Sequence, residues 1–129
     1  MSDSIILTSG VSGRYATALF SLGREENILD RFEKDLGLVS ELIVSNVEFR
    51  RLIDSPIYKR FEQERAVVEV SQKLKLNKNV ENLLALLAKK RRLPILMELI
   101  KDFKSLIKNE RGEVVAEVVA VSDLNKSQK

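Results

Sequence analysis

The sequence predicts an all-α fold, a six-helix bundle, followed by one β-strand. Three observations carry that reading. Apolar residues recur at helical spacing in six segments between residues 11 and 111. Capping and helix-stopping residues, namely Ser, Asn, Asp, Pro and Gly, fall between those segments. Only after Gly112 does the pattern change, to the β-branched run EVVAEVVAV.

Residues 1–10 are polar or irregular and read as a flexible N-terminus. Ser12 is placed to N-cap a first helix reaching about Arg24. Its apolar residues Tyr15, Ala16, Ala18, Leu19, Phe20 and Leu22 spread over roughly 200° of the helix circumference at about 100° per residue. Such an arc is wide for a helix that packs on one side only. Asn27 is expected to cap the second helix, with Asp30 in the first turn, where the helix dipole favours an anion. Phe32, Leu36, Val39 and Ile43 form its single stripe. Gly37 sits inside this helix at a cost of about 1 kcal/mol against Ala; the sequence leaves open whether it serves a close crossing.

A short third helix runs from Val47 to Ile53 and stops at Asp54-Ser55-Pro56, because a residue before Pro avoids helical torsions. The fourth, Lys59 to Leu74, buries Ala66, Val67, Val70 and Leu74. The fifth opens at Asn77, reaches about Arg91 and buries Val80, Leu83, Leu84 and Leu87, while Leu86 falls off that stripe, between Asn82 and Lys90. Pro94 marks the start of a sixth helix, where a first turn tolerates it, and Leu96, Ile100, Phe103 and Ile107 make its stripe. Gly112 ends the bundle. A lone strand at 113–121 cannot satisfy its own backbone groups. The expected organisation is therefore a helical bundle at 11–111, then a strand and polar tail at 112–129 that begin a missing C-terminal domain.

Composition removes whole classes of chemistry. The chain has no Cys and no His, so thiol nucleophiles, disulfides, zinc knuckles and imidazole bases are absent. Nor is there a phosphate-cradling glycine loop or a cluster of carboxylates at metal-ligand spacing. No catalytic residue, cofactor or metal is expected. Ser55 beside Pro56 has no base to activate it. No apolar run is long enough to span a bilayer, and Met1 to Ser9 carry no basic signal region. The net charge of +3 comes from 22 basic and 19 acidic residues interspersed along the chain. The run Lys89-Lys90-Arg91-Arg92 reads as a solvated helix end whose cations suit the C-terminal dipole.

Three stretches together resemble one family. Gly13-Arg14-Tyr15-Ala16-Thr17-Ala18-Leu19-Phe20 is similar to the opening-helix motif of the ATP synthase delta subunit, known in mitochondria as the oligomycin sensitivity-conferral protein. Residues 88–103, AKKRRLPILMELIKDF, are similar to that family's junction of helices five and six, with its Arg-Leu pair. Arg111-Gly112-Glu113 and the valines that follow resemble its entry into a C-terminal domain. Lys90 stands where the family usually has Asn, and Pro94 comes earlier than the family's Pro, whose place Met97 holds.

The resemblance implies a non-catalytic peripheral-stalk subunit of the proton-translocating ATP synthase, on the cytoplasmic face of the inner cell membrane. It implies a groove between helices one and five that receives the N-terminal helix of the alpha subunit. The residues at the matching positions are Tyr15, Ala18, Asn82 and Leu86. Contacts to the stalk b subunits are implied only for the missing C-terminal domain. The alternative is a small basic helical nucleic-acid-binding domain. It has the basic run in its favour, and the low aromatic content of 5% against it, since base stacking needs rings.

Overall fold

A computed structural model describes residues 10–112. Among these residues there are six α-helices: α1 (Val11–Glu26), α2 (Leu29–Ser45), α3 (Val47–Asp54), α4 (Arg60–Lys73), α5 (Lys78–Lys89) and α6 (Leu96–Glu110). A single 3-10 turn, Leu93–Ile95, leads into α6. The all-α bundle expected from apolar spacing is what forms. The strand expected at 113–121 lies outside the described residues.

α6 is the centre of the fold. Leu96, Leu99, Ile100, Phe103, Leu106 and Ile107 are all buried, a broader face than the four-residue stripe. Each such side chain contributes about 1.5–3 kcal/mol on leaving water. α1 packs on one side of α6 and α2 on another. α1 and α6 run in the same direction: the Ser12 hydroxyl donates to Asp102 Oδ2 at 2.8 Å near one end, and Arg24 pairs with Glu110 at 3.6 Å near the other. The Phe20 ring meets Phe103 edge-on, with centroids 6.2 Å apart. α4 and α5 form the other closely packed pair, an antiparallel hairpin closed at Lys75, which adopts φ 57°.

The helix ends differ from expectation in two places. Ser12 lies inside α1, which starts one residue after Gly10, and its hydroxyl is spent on Asp102 rather than on capping. Asn27 does not cap α2. It terminates α1 in the left-handed conformation (φ 60°, ψ 41°), and Ile28 is the residue before α2. Asn tolerates that region better than most side chains, so the same residue type served the opposite end of a helix. Asn46 and Asn77 do cap, accepting from the amides of Phe49 and Asn79 at 2.9 and 2.8 Å.

Gly37 does not mark a close crossing: a Cβ there would meet nothing within 4 Å. The tight contact is at Gly23 on α1, where a Cβ would lie 2.8 Å from Leu29 Cδ2 and 3.0 Å from Phe32 Cδ2. That contact lets the α1–α2 corner fold back on itself.

Buried polar groups hold the elements in register. Asp35, 2% exposed, accepts from the Asn77 amide at 2.7 Å and from Arg31 Nε at 3.1 Å, tying α2 to the start of α5. Arg31 also donates to the Lys75 carbonyl at 2.7 Å. The inward face of α4 is Gln63, Val67 and Ser71, not an all-apolar stripe. Its polar members are satisfied: Ser71 donates to the Val67 carbonyl, and Gln63 Nε2 donates to the Leu52 carbonyl. At the far end, Arg111 reaches Asp30 and Glu33 of α2, each at 2.9 Å, just before Gly112 turns left-handed at φ 74°. The hydrogen bond Arg111 donates to Glu33 and the Glu33 charge, with a smaller contribution from the hydrogen bond to Asp30 and its charge, raise the Arg111 pKa above the ordinary arginine value.

Candidate docking groove

α1 turns Ala16, Leu19 and the hydrogen side of Gly13 and Gly23 inward. That leaves Tyr15 half-buried and Ala18 exposed. On α5, Val80, Leu84, Leu87 and Ala88 face the core, so Asn82 is exposed and Leu86 is 38% exposed. All four residues at the family's groove positions therefore reach the surface. α1 and α5 are not among the closely packed helix pairs. Arg92, three residues past the end of α5, reaches α1: it donates from Nη1 to the Tyr15 hydroxyl at 2.8 Å. The same guanidinium stands 5.9 Å from the Tyr15 ring centroid, within cation–π range. The structure thus joins Tyr15 to the α5 end of the bundle. No contact is shown between Tyr15, Ala18, Asn82 and Leu86 themselves.

Helix periodicity missed Arg92. The signal was present in the Arg-Leu pair: Leu93 is fully buried and fixes the turn, and Arg92 is thereby aimed at α1.

Lys89–Arg92 is an exposed helix end, as expected, and three of its four cations also have partners within the chain. Lys89 lies 3.8 Å from Glu64 of α4. Arg91, in the left-handed conformation at φ 58°, donates to the carbonyls of Tyr58 (2.7 Å) and Pro56 (3.1 Å) and to Gln63 Oε1 (3.0 Å). It clamps the α3–α4 loop onto the turn after α5. A planar guanidinium with five donors can satisfy three acceptors at once, which a lysine cannot. In the run, Lys90 alone has no such link among the described residues.

No group of three or more Asp and Glu residues that could hold a metal occurs among the described residues. No helix there is long and apolar enough to cross a membrane. What α1 and α5 offer at the surface is one half-buried aromatic, Tyr15, one small residue, Ala18, one aliphatic, Leu86, and one polar residue, Asn82. Such a surface suits recognition of an amphipathic helix.

Comparison with known proteins agrees with this architecture. Residues 11–129 match the family described as ATP synthase delta (OSCP) subunit. The chain is 42% identical over 127 residues to the ATP synthase subunit delta of Dinoroseobacter shibae, an alignment covering 98% of this chain and 68% of that protein. It is 37% identical over 128 residues to the subunit of the same name from Cereibacter sphaeroides, covering 99% and 69%. In three dimensions it is similar to a chain of the Polytomella F-ATP synthase, in a cryo-EM structure focused on the F1 head and rotor. The TM-score is 0.74 at 25% identity, covering 80% of this chain and 90% of the other.

Proposed function

The chain belongs to the ATP synthase delta (OSCP) subunit family, and from that premise we propose that it docks the N-terminal helix of the synthase alpha subunit in the furrow between α1 and α5, so linking the catalytic head to the peripheral stalk. As a member of that family it is a non-catalytic structural subunit of the synthase. The observation that carries the docking reading is the Arg92–Tyr15 hydrogen bond. It ties α1 to the turn that follows α5, on a surface that also carries an exposed Ala18 and a partly exposed Leu86.

Ala18 allows close approach of an incoming helix. Tyr15 gives it a flat apolar face whose polar tip Arg92 already satisfies. Leu86 supplies an apolar floor, and Asn82 a hydrogen bond at the rim. The similar Polytomella chain belongs to a structure of head and rotor, in keeping with attachment on the head side. Contacts to the stalk b subunits are assigned to sequence beyond residue 111. The working location is peripheral, on the cytoplasmic face of the inner cell membrane, held there through the other subunits. The nucleic-acid reading loses its main support, because three of the four clustered cations are engaged within the chain.

Titration with a peptide of the alpha subunit's N-terminal segment, followed by calorimetry and backbone NMR, tests the proposal. Saturable binding with shifts around Tyr15 and Leu86, abolished by Leu86→Glu, is the expected result. A folded chain that leaves the peptide unbound overturns it.

A further inference from the structure

The loop between α3 and α4 carries an unusual surface. Ile57 is 80% exposed and Phe61, in the first turn of α4, is 55% exposed, with the Arg65 guanidinium 5.9 Å from the Phe61 ring centroid. Isolated exposed apolar residues are ordinary, but Ile57 directly follows Pro56, which lines a cleft of about 300 Å³ with Ile53 and Pro94 on its apolar walls and Asp54 and Arg91 on its polar side. Their loop is not slack. Arg91 holds the carbonyls on both sides of Ile57, those of Pro56 and Tyr58, so Ile57 is presented on a fixed backbone.

Charge completes the picture. Within residues 54–65 and 89–92, seven Lys and Arg side chains stand against three carboxylates, Asp54, Glu62 and Glu64. The balance is +4, where the whole chain carries +3. The two segments are in contact through Arg91 and through the Lys89–Glu64 pair. A net +4 is thus gathered where α4 begins and α5 ends. Lys59, Arg60 and Lys90 make no ion pair among the described residues.

We propose that this end of the bundle is a second docking surface, distinct from the α1–α5 furrow, for an acidic amphipathic segment of the synthase head. An apolar side chain of that segment enters the cleft next to Ile57, and the exposed Phe61 ring adds apolar contact on the first turn of α4. Its carboxylates lie towards Lys59, Arg60 and Lys90, away from Asp54. Attachment to the head rests on the functional reading above; the surface itself does not depend on the α1–α5 groove. Two separate footholds would resist rotation of the domain about a single docked helix, and linked sites gain avidity beyond either one alone.

The test uses F1 head purified without its delta subunit and, in parallel, the isolated alpha-subunit peptide. Ile57→Ser/Phe61→Ser is expected to weaken binding to F1 by about tenfold or more, as loss of a central apolar anchor does, and to leave peptide affinity unchanged. Lys59→Glu/Arg60→Glu/Lys90→Glu is expected to weaken F1 binding comparably and to flatten its dependence on ionic strength. Leu86→Glu should lose the isolated peptide, which both patch variants keep. Failure of Leu86→Glu alone would sink the groove and leave this surface standing. Wild-type affinity for F1 in both the serine and the charge-reversed variants, each verified as folded by circular dichroism, overturns the proposal. So does binding of the patch to anionic phosphatidylglycerol vesicles in place of F1.

Discussion

Arg92 and Tyr15 are 77 residues apart in sequence, and a 2.8 Å hydrogen bond joins them on the surface of the bundle. The guanidinium also stands 5.9 Å from the centre of the tyrosine ring. Arg92 is therefore a positioning residue for the side chain that presents α1's aromatic face. Arg92→Ala should weaken the alpha-subunit peptide by about five- to tenfold, the net worth of one ordinary hydrogen bond. Stability should change by less than about 1 kcal/mol, because the pair is exposed. Arg92→Lys should restore part of the affinity. Calorimetry on both variants, beside a urea titration, separates the two effects.

Gly23 and Gly37 make a matched pair of tests on the α1–α2 unit. Gly23→Ala places a methyl 2.8 Å from Leu29 Cδ2, and the forced shift should cost about 1–3 kcal/mol. Gly37→Ala meets open space and should stabilise by about 0.5–1 kcal/mol through helix propensity. Urea midpoints moving in opposite directions are the expected outcome. A neutral Gly23→Ala would mean that the corner relaxes more freely than its packing implies.

Removing the Asp35 carboxylate should be costly in a different way. Asp35→Ala leaves the Asn77 amide and Arg31 Nε without their acceptor at a site only 2% exposed. An unmatched buried donor costs about 1–3 kcal/mol. Asp35→Asn keeps an oxygen for the Asn77 amide and should lose less. Thermal unfolding of the two variants ranks them.

Arg91→Ala should release the α3–α4 loop. Gln63 is 3% exposed and would lose the partner of its Oε1, at about 1–3 kcal/mol. Hydrogen exchange at residues 55–60 should quicken by more than the global stability loss explains. Uniform quickening across all helices would instead show that Arg91 supports the bundle as a whole.

Helix identity was legible in the sequence wherever an apolar stripe is continuous. Phe32, Leu36, Val39 and Ile43 on α2 are all buried, as are Leu96, Ile100, Phe103 and Ile107 on α6. Periodicity failed on α4, where Gln63 and Ser71 turn inward and only Val67 of the expected stripe is fully buried. A polar side chain can face a core when its partner waits there, and that partner is a carbonyl eleven residues away for Gln63. Asn27 was assigned to the wrong helix because Asn serves both caps and left-handed stops. The off-stripe position of Leu86 follows from the wheel, while Tyr15, Ala18 and Asn82 were singled out through the family resemblance alone. The role of Arg92 does not follow from the wheel, since no local rule links a turn after α5 to a ring on α1. The same holds for Arg91, whose three acceptors lie 28 to 35 residues away.

The last described turn has a mechanical consequence. Tension arriving at Gly112 enters α6 at its final residues, and there it divides. Arg111 passes load to α2 through Asp30 and Glu33, and Glu110 passes load to α1 through Arg24. The terminal turn cannot fray without parting both ties, so three helices share a pull that would otherwise peel one. Each tie is an exposed ion pair, and its grip weakens as salt shortens the reach of charge. The root of this lever is therefore stiff in dilute buffer and yields progressively as ionic strength rises.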